Sequence, residues 1–197
     1  MSITNFLNNR GFYHFEGYSQ EIPQQIADLI TLTNKPNINV VEIGFNAGHS
    51  AEIFLQNNNG LILTSFDLGS HDYVSTAKEY IDDTYPQRHN LILGDSRITI
   101  PIYLENNKHI KFDIIFIDGG HEYEIAKSDM ENCFHLAHND TIVILDDTMF
   151  TKEVQSYNIG PTQTWIEYIQ QNKIVELGRI DYCDGRGMSW GKYIKTN

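Results

Sequence analysis

The sequence has only two cysteines among its 197 residues, Cys133 and Cys183, and they lie far apart. Two isolated cysteines form neither a zinc motif nor a disulfide framework, which is typical of a reducing, cytoplasmic setting. The first residues lack an apolar core of signal-peptide length, and no later run of about 18 apolar residues occurs. We therefore expect a cytoplasmic protein with no membrane-spanning segment.

Positive charge is also scarce. Lys and Arg total 14 against 26 Asp and Glu, which gives a formal net charge of -12 at pH 7, and no basic block interrupts this excess. Such a field repels a phosphate backbone, so the composition argues against nucleic acid as a partner. A small neutral or cationic partner is easier to accommodate.

No linker, low-complexity tract or internal repeat divides the chain, so we expect one domain over residues 1–197. Residues 1–36 are expected to form a helical and aromatic cover segment, and residues 37–197 the core. Five short runs recur in that core, each rich in β-branched residues and apolar on both faces, as in parallel strands covered on both sides. They span residues 38–44, 60–67, 89–95, 111–118 and 140–147.

Helical periodicity fills the segments between these runs. Ala126, Met130, Cys133, Phe134 and Ala137 recur on one face of a helix, with His135 and His138 further along it as packing or surface residues. The other helical faces are Ile22, Ile26, Leu29 and Ile30; Val74, Ala77 and Ile81; and Trp165, Ile166 and Ile169. This alternation predicts a doubly wound α/β sheet with helices on both faces. Residues 173–183 and 188–195 are expected to add two strands, the last of them antiparallel.

Acidic residues end four of the five apolar runs. Asp67, Asp95, Asp118 and the pair Asp146 and Asp147 stand at these positions. Because ligands bind doubly wound sheets at the carboxyl ends of the strands, the acids are expected to gather on one edge as a site.

The first run leads into "VVEIGFNAGHS", where Glu42 precedes Gly44 and Gly48. Two glycines in a strand-to-helix turn let a ligand approach the backbone, although a plain tight turn needs them equally. The stretch is neither G-x-G-x-x-G nor a G-x-x-x-x-G-K-[ST] phosphate loop. His49 and Ser50 would open the next helix, with Ser50 as a possible cap.

Two further acids have the spacing of a nucleoside site. Asp67 follows the glycines by about 20 residues, which is the placement of an acid that binds ribose hydroxyls. Asp95 and Ser96 end the third run, where they could reach an adenine edge. Ser96 could equally cap the following helix.

In this order the motifs resemble class I S-adenosylmethionine-dependent methyltransferases over roughly residues 37–147. The segment "IDGGHEY" (residues 117–123) is similar to the "IDG-x-H-x-Y" of small-molecule O-methyltransferases, among them sugar and macrolide enzymes, with catechol O-methyltransferase more distant. The resemblance implies a Rossmann-like, seven-stranded, mostly parallel sheet whose last strand is antiparallel.

The same resemblance implies the cofactor contacts. Glu42 and the turn would hold the methionine portion of S-adenosylmethionine, Asp67 the ribose, and Asp95 with Ser96 the adenine. The full set of implied cofactor-binding residues is Glu42, Gly44, Phe45, Asn46, Gly48, His49, Ser50, Asp67, Leu68, Asp95, Ser96 and Asp118.

Metal-dependent members of this group hold a divalent ion with an Asp after the fourth strand and an acidic pair after the fifth, here Asp118, Asp146 and Asp147. Neighbouring carboxylates repel by about 1 kcal/mol at ~4 Å in water and by more at a lower dielectric, so such a trio favours a counter-charge. An all-oxygen set suits Mg²⁺, with Mn²⁺ or Ca²⁺ as alternatives. The other interpretation is that Asp146 or Asp147 only caps a loop.

His121 stands three residues after Asp118, at the offset where catechol-type relatives carry a catalytic lysine. Some sugar enzymes have an acidic base one residue earlier, but this chain has Gly120 there. An imidazole can take a hydroxyl proton near neutral pH, so His121 and Asp118 are the catalytic candidates. A hydrogen bond from His121 to the cofactor, or a helix cap, is the alternative.

Two segments outside these motifs are candidate borders of the pocket. Residues 10–18, "RGFYHFEGY", hold four aromatic residues and could cover the acceptor or pack against the sheet edge or a second copy in a homodimer. Residues 184–191, "DGRGMSWG", have the composition of a loop.

Together the sequence predicts an O-methyltransferase that acts on a hydroxyl of a small molecule, a sugar or glycoside before a catechol, with help from a divalent ion. One alternative is a metal-dependent hydrolase that uses Asp118, His121, Asp146 and Asp147. The other is a nucleoside-binding subunit without catalysis.

Overall fold

The computed structural model describes residues 1–17, 21–151, 154–183 and 185–195. Within these ranges, none of the helices has the length and apolar composition needed to cross a membrane. The helices are α1 (Ile3–Asn8), α2 (Pro23–Thr33), α3 (His49–Asn57), α4 (Val74–Thr84), α5 (Ser96–Asn106), α6 (Tyr123–Leu136) and α7 (Ile159–Gln170). The strands are β1 (Asn39–Ile43), β2 (Ile62–Asp67), β3 (His89–Leu93), β4 (Phe112–Ile117), β5 (Ala137–Asp146), β6 (Ile174–Asp181) and β7 (Gly187–Tyr193).

The strands form one seven-stranded sheet in the order β3-β2-β1-β4-β5-β7-β6. Strands β1 to β5 pair in parallel, whereas β7 runs antiparallel to both β5 and β6. The predicted doubly wound sheet with an antiparallel last strand is therefore confirmed. The strand order changes direction between β1 and β4, and in such sheets this switch point leaves a crevice at the carboxyl ends.

Successive strand residues serve the two faces of the sheet, which explains why the runs are apolar throughout. In β4, Ile114 and Phe116 pack into a core with residues of α1 to α4, while Ile115 and Ile117 pack into a second core with residues of α5 to α7. The N-terminal segment shares the first core, since Ile3, Leu7 and Leu29 are fully buried there. Both faces of the central strands are thus covered.

Two details of the helical assignments are wrong. Helix α6 ends at Leu136, so Ala137 and His138 belong to β5 rather than to the helix. The pairing of β4 with β5 shifts here, since Phe112 pairs with Ala137 but Ile114 pairs with Ile142, and the apolar Ala137 continues the helical pattern by coincidence. In α7, Ile166 is 38% exposed and does not face the core, unlike Trp165.

Candidate active site

The acidic strand ends converge on one cavity of about 810 Å³ at the carboxyl edge of the sheet. It lies at the switch point between β1 and β4, where the topology predicts a ligand crevice. Of the predicted site residues, those that line it are Gly44, Asn46, Asp67, Leu68, Asp95, Ser96, Asp118, His121, Asp146 and Asp147.

The glycine turn after β1 closes against the end of β4. Gly44 has φ +96°, and a Cβ on it would lie 1.9 Å from the carbonyl oxygen of Asp118, so no side chain fits. Gly48, with φ +75°, precedes α3 as its N-cap residue. Glycine is therefore required here for the packing of the turn as well as for the open backbone on the cavity side.

Asp67 at the end of β2 fixes this turn. Its Oδ2 accepts hydrogen bonds from the backbone N–H groups of Phe45 (3.0 Å) and Asn46 (2.8 Å), and its Oδ1 accepts one from Gly69 (2.7 Å). A carboxylate has about four acceptor positions, so these three contacts leave room for a further donor. Asp67 is thus both a support of the turn and a wall of the cavity.

Glu42 lies beneath the turn rather than on the cavity surface. It is fully buried, and its two carboxylate oxygens accept hydrogen bonds from Ser50 and from Ser65 (2.6 Å). The Ser65 hydroxyl also lies 3.0 Å from Nε2 of His89. Burial raises the pKa of Glu42 to about 7, although both serine hydrogen bonds act in the opposite direction.

Other predicted cofactor residues share this supporting position. Ser50 lies within α3 and donates to Glu42, and the Nε2 atom of His49 lies 3.1 Å from the Thr4 hydroxyl. Within the described part of the chain, the predicted cofactor residues that do not line the cavity are Glu42, Phe45, Gly48, His49 and Ser50. The structure therefore separates a lining set from a set that holds the turn from behind.

The cavity end beside β3 is built around two carboxyl groups. Asp95 caps α5 by accepting from the N–H of Arg97 (2.9 Å), and its carboxylate also pairs with the Arg97 guanidinium (2.6 Å), which lowers the pKa of Asp95. Ser96 is not the cap, because its hydroxyl donates to Oδ1 of Asp129 (2.6 Å). Asp129 is buried, and burial raises its pKa to about 6.

The opposite end gathers Asp118, His121 and Asp147, whose ligand atoms all lie within 4.8 Å of one another. His121 Nε2 is 2.9 Å from Oδ2 of Asp147, and this hydrogen bond raises the pKa of His121. Burial, together with the charges of Asp147 and Glu42, raises the pKa of Asp118 well above its ordinary value. Two mutually repelling acids and an imidazole therefore meet at this end.

Asp146 is held differently from its neighbour. The Nε2 atom of Gln25 in α2 donates to both Asp146 oxygens, at 2.8 and 2.9 Å. Asp147 has φ +55°, a left-handed conformation. Burial and the charges of Asp118 and Asp147 raise the pKa of Asp146 well above its ordinary value. The predicted trio thus meets in part: Asp118 and Asp147 converge with His121, while the Asp146 carboxylate binds Gln25.

Two residues that line the cavity, Glu16 and Arg186, were not predicted individually from the sequence. Glu16 lines the cavity, and its carbonyl oxygen accepts from Asn46 Nδ2 (2.7 Å) while its carboxylate lies 2.8 Å from Nε2 of His71. Arg186 also lines the cavity and pairs with Glu21 at 3.4 Å. The sequence singled out the two segments that contain Glu16 and Arg186, but Tyr18 and Asp184 of those segments lie outside the described residues. No local pattern marks these contacts, because they join distant parts of the chain.

The sequence and the fold of this chain are similar to those of known proteins. Residues 41–148 match the family described as "Methyltransferase domain", whereas no curated protein matches the sequence. Among solved structures, the O-methyltransferase from Bacillus cereus in complex with SAH aligns with a TM-score of 0.74 at 15% identity, over 96% of this chain and 88% of that chain.

Two further structures are similar. The O-methyltransferase TomG from Streptomyces achromogenes, in complex with SAM, gives a TM-score of 0.72 at 11% identity, over 98% of this chain and 88% of that one. CalS11, a TDP-rhamnose 3'-O-methyltransferase of calicheamicin biosynthesis, gives 0.65 at 17% identity, over 96% and 90%. At these identities the likeness establishes the fold, and the predicted resemblance to class I methyltransferases is confirmed. Because the family match covers more than half of the sequence, the chain belongs to the methyltransferase-domain family.

Proposed function

We propose that the protein transfers a methyl group from S-adenosylmethionine to a hydroxyl group of a small molecule, a sugar or glycoside, with the help of a divalent ion. The observation that carries this proposal is that one cavity has the glycine turn and Asp67 at one side and Asp118, His121 and Asp147 at the other. Solved structures of this fold support it: two are described as O-methyltransferases in complex with SAH or SAM, and CalS11 is described as a TDP-rhamnose 3'-O-methyltransferase.

In this proposal the cofactor lies along the carboxyl ends of β1 to β3. The open backbone from Gly44 to Asn46 faces the methionine portion, and the remaining acceptor position of Asp67 takes a ribose hydroxyl. Asp95, Ser96 and Leu68 border the adenine. Glu42 and Ser50 contribute indirectly, because they hold the turn from behind.

The chemistry of the acceptor end fits a divalent ion. Asp118 and Asp147 are carboxylates that repel each other in a partly buried position, and a cation relieves that repulsion. These two residues would hold the ion, with Asp146 as the third carboxylate, which must then share its oxygens between the ion and Gln25. When bound, the ion would lower the pKa of the acceptor hydroxyl and orient it.

His121 is proposed to remove the hydroxyl proton. The acceptor oxygen forms a bond to the methyl carbon as the carbon–sulfur bond breaks, the sulfur leaves as the uncharged thioether, and the imidazole takes the proton. Asp147 orients the imidazole through the contact at 2.9 Å and stabilises its protonated form. His121→Gln is expected to lower kcat by roughly 100-fold or more with little change in cofactor affinity, as measured by steady-state kinetics and calorimetry.

The test of the function is methyl transfer from methyl-labelled S-adenosylmethionine across a panel of sugars, glycosides and catechols, with Mg²⁺ and with EDTA. We expect transfer to a hydroxylated acceptor that EDTA abolishes. Transfer that survives EDTA would remove the metal from the proposal. Cofactor binding without transfer to any acceptor would instead indicate a nucleoside-binding subunit.

A metal-dependent hydrolase is a second candidate, because one imidazole and two carboxylates within 4.8 Å are also a suitable set for an ion that activates water. Calorimetry with S-adenosylmethionine separates the two. Absence of binding, combined with hydrolysis of a phosphoester panel, would favour the hydrolase. A cytoplasmic location and a homodimer also remain predictions, which cell fractionation and light scattering would test.

A further inference from the structure

Asp129 in α6 is a fully buried acid that lines the end of the cavity beside β3. Its Oδ1 accepts a hydrogen bond from the hydroxyl of Ser96, the first residue of α5, at 2.6 Å. Its Oδ2 is also buried and has no hydrogen-bond partner among the residues that the structure describes. A Cβ on Gly119, which lines the same cavity, would lie 2.9 Å from Oδ2, so glycine at this position leaves room for the carboxylate.

This arrangement fixes the direction of the Ser96 hydroxyl. A serine hydroxyl has one hydrogen to donate and two lone pairs that accept. A hydrogen bond to a carboxylate is roughly twice as strong as one between neutral groups. If the hydroxyl turned towards a ligand, the buried carboxylate of Asp129 would lose the donor at Oδ1 while Oδ2 already has none. The Ser96 oxygen, which is partly exposed and lines the cavity, therefore offers a ligand only its lone pairs.

The neighbouring Asp95 is less available to a ligand than Ser96 is. Its Oδ1 accepts from the backbone N–H and from Nε of Arg97, both at 2.9 Å. Its Oδ2 accepts from Nη2 of Arg97 at 2.6 Å and from Nε at 3.1 Å. These contacts occupy most of the acceptor positions of one carboxylate and direct the guanidinium at Asp95. The open acceptor at this end of the cavity is therefore the Ser96 oxygen.

We propose that Asp129 is a positioning residue that makes Ser96 a hydrogen-bond acceptor for the base of the cofactor, so that this end of the cavity selects a purine with an exocyclic amino group over one with a carbonyl group. This inference rests on the proposed function, because it concerns the adenine of that cofactor. An amino N–H group donates to the Ser96 oxygen, whereas a carbonyl oxygen would face a lone pair. Asp129 acts through Ser96 and does not itself touch the ligand.

Two ligands that differ at one position of the base test this selection. They are SAH and S-inosylhomocysteine, in which a carbonyl group replaces the amino group of adenine. Calorimetry is done at about pH 8, where Asp129 is ionised, because burial raises its pKa only to about 6. The unaltered protein is expected to bind SAH about ten-fold or more tightly than S-inosylhomocysteine. Equal affinity for the two ligands would overturn the inference.

Two variants assign the selection to its residues. Asp129→Leu removes the acceptor with a side chain of similar size, so the Ser96 hydroxyl becomes free to donate to a carbonyl oxygen. The ratio of the two affinities should narrow several-fold, chiefly because S-inosylhomocysteine binds more tightly. Ser96→Ala, which leaves Asp129 in place, should narrow the ratio because SAH binds more weakly. If Asp129 had only a structural role, its replacement would weaken both ligands in parallel, and an unchanged ratio in either variant would overturn the inference.

Asp83→Asn is the control for net charge, because Asp83 is exposed on α4 and does not line the cavity. A ratio that narrows in this control as much as in Asp129→Leu would contradict a local role for Asp129.

Methyl transfer from S-adenosylmethionine, measured beside these affinities, separates the inference from the proposed function. Methyl transfer together with equal binding of the two ligands would leave the function in place and overturn the inference. Selective binding of SAH without transfer to any acceptor would support the role of Asp129 and contradict the proposed reaction. Absence of SAH binding would overturn both.

Discussion

The carboxylates on the two sides of the cavity are stabilised in different ways. At the proposed cofactor side, Asp67 accepts three backbone hydrogen bonds from the turns that surround it, at 2.7 to 3.0 Å. At the proposed acceptor side, the ligand atoms of Asp118, His121 and Asp147 lie within 4.8 Å of one another, and burial, together with the charges of Asp147 and Glu42, raises the pKa of Asp118. Backbone N–H groups stabilise the first side, whereas on the second side the contact at 2.9 Å between His121 and Asp147 offsets only part of the repulsion between Asp118 and Asp147.

This difference shows which side depends on a ligand. A carboxylate that is bound by N–H groups stabilises the folded chain and keeps its turn in place before the cofactor binds. A group of converging carboxylates destabilises the folded chain until a cation binds, as is common for functional sites. On the proposed cofactor side the turn is therefore in place before a ligand binds. On the proposed acceptor side the carboxylates repel one another until a cation binds.

Glu42 supports the glycine turn of the proposed cofactor side from within the core. Its pKa rises from 4.5 to about 7 on folding, so between these values the folded state binds the proton more tightly than the unfolded state does. The free energy of unfolding should therefore fall as pH rises through this window, by roughly 3 kcal/mol in total. Glu42→Gln should remove this contribution.

Urea denaturation of both proteins between about pH 4.5 and pH 8 measures the effect. Glu105→Gln is the control for net charge, because Glu105 is exposed on α5. The buried His89, whose pKa burial lowers from 6.5 to about 3, makes stability rise with pH between these two values, but it is present in both proteins and its contribution cancels in their difference. A constant difference in stability between Glu42→Gln and the unaltered protein across the window would show that Glu42 is not a buried acid of raised pKa.

The substitution Asp67→Ala should destabilise the glycine turn and weaken the binding of the cofactor. It removes the acceptor of the Phe45 and Asn46 N–H groups as well as the proposed ribose contact, so the affinity for SAH should fall by about 10- to 100-fold. Calorimetry provides the measurement. Asp72→Ala is a suitable control, because Asp72 is exposed nearby and does not line the cavity. An unchanged affinity in Asp67→Ala would remove Asp67 from the ribose role.

The substitution Asp147→Asn should reduce the repulsion between the carboxylates of Asp118 and residue 147. Without metal, removal of one of the conflicting charges beside Asp118 should raise the free energy of unfolding by about 1 kcal/mol, while Asp67→Ala should lower it. Thermal or urea denaturation in EDTA tests this sign. If Asp147→Asn were clearly destabilising in EDTA, the acceptor side would be stabilised by Asp147 rather than strained by it.

Local sequence predicted the features that depend on local chemistry. Apolar runs of strand length predicted the sheet, since β4 places Ile114 and Ile115 in opposite cores. The spacing from Gly44 to Asp67 predicted that both border one cavity, because parallel strands bring their carboxyl ends to one edge. The prediction placed His138 in the helix because the helical period of apolar residues continues to Ala137, the first residue of β5.

Contacts between distant segments could not be predicted in this way. Gln25 and Asp146 are 121 positions apart, and neither the α2 pattern nor the acidic pair indicates that they meet. The separation of Asp146 from Asp147 likewise depends on a backbone conformation with φ +55° at a residue other than glycine. Side-chain direction at a strand end is decided by tertiary packing, so the sequence could place three acids together but not orient them.

The most direct test of the account is Mn²⁺ binding to the SAH-loaded protein, measured by electron paramagnetic resonance of the free ion. We predict one bound ion, an affinity that falls by at least about ten-fold in Asp147→Asn, and a smaller loss in Asp146→Asn, whose neighbour Gln25 already occupies both carboxylate oxygens. Absence of a bound ion, or equal binding in the unaltered protein and in Asp147→Asn, would contradict the proposal that this side of the cavity holds a divalent ion.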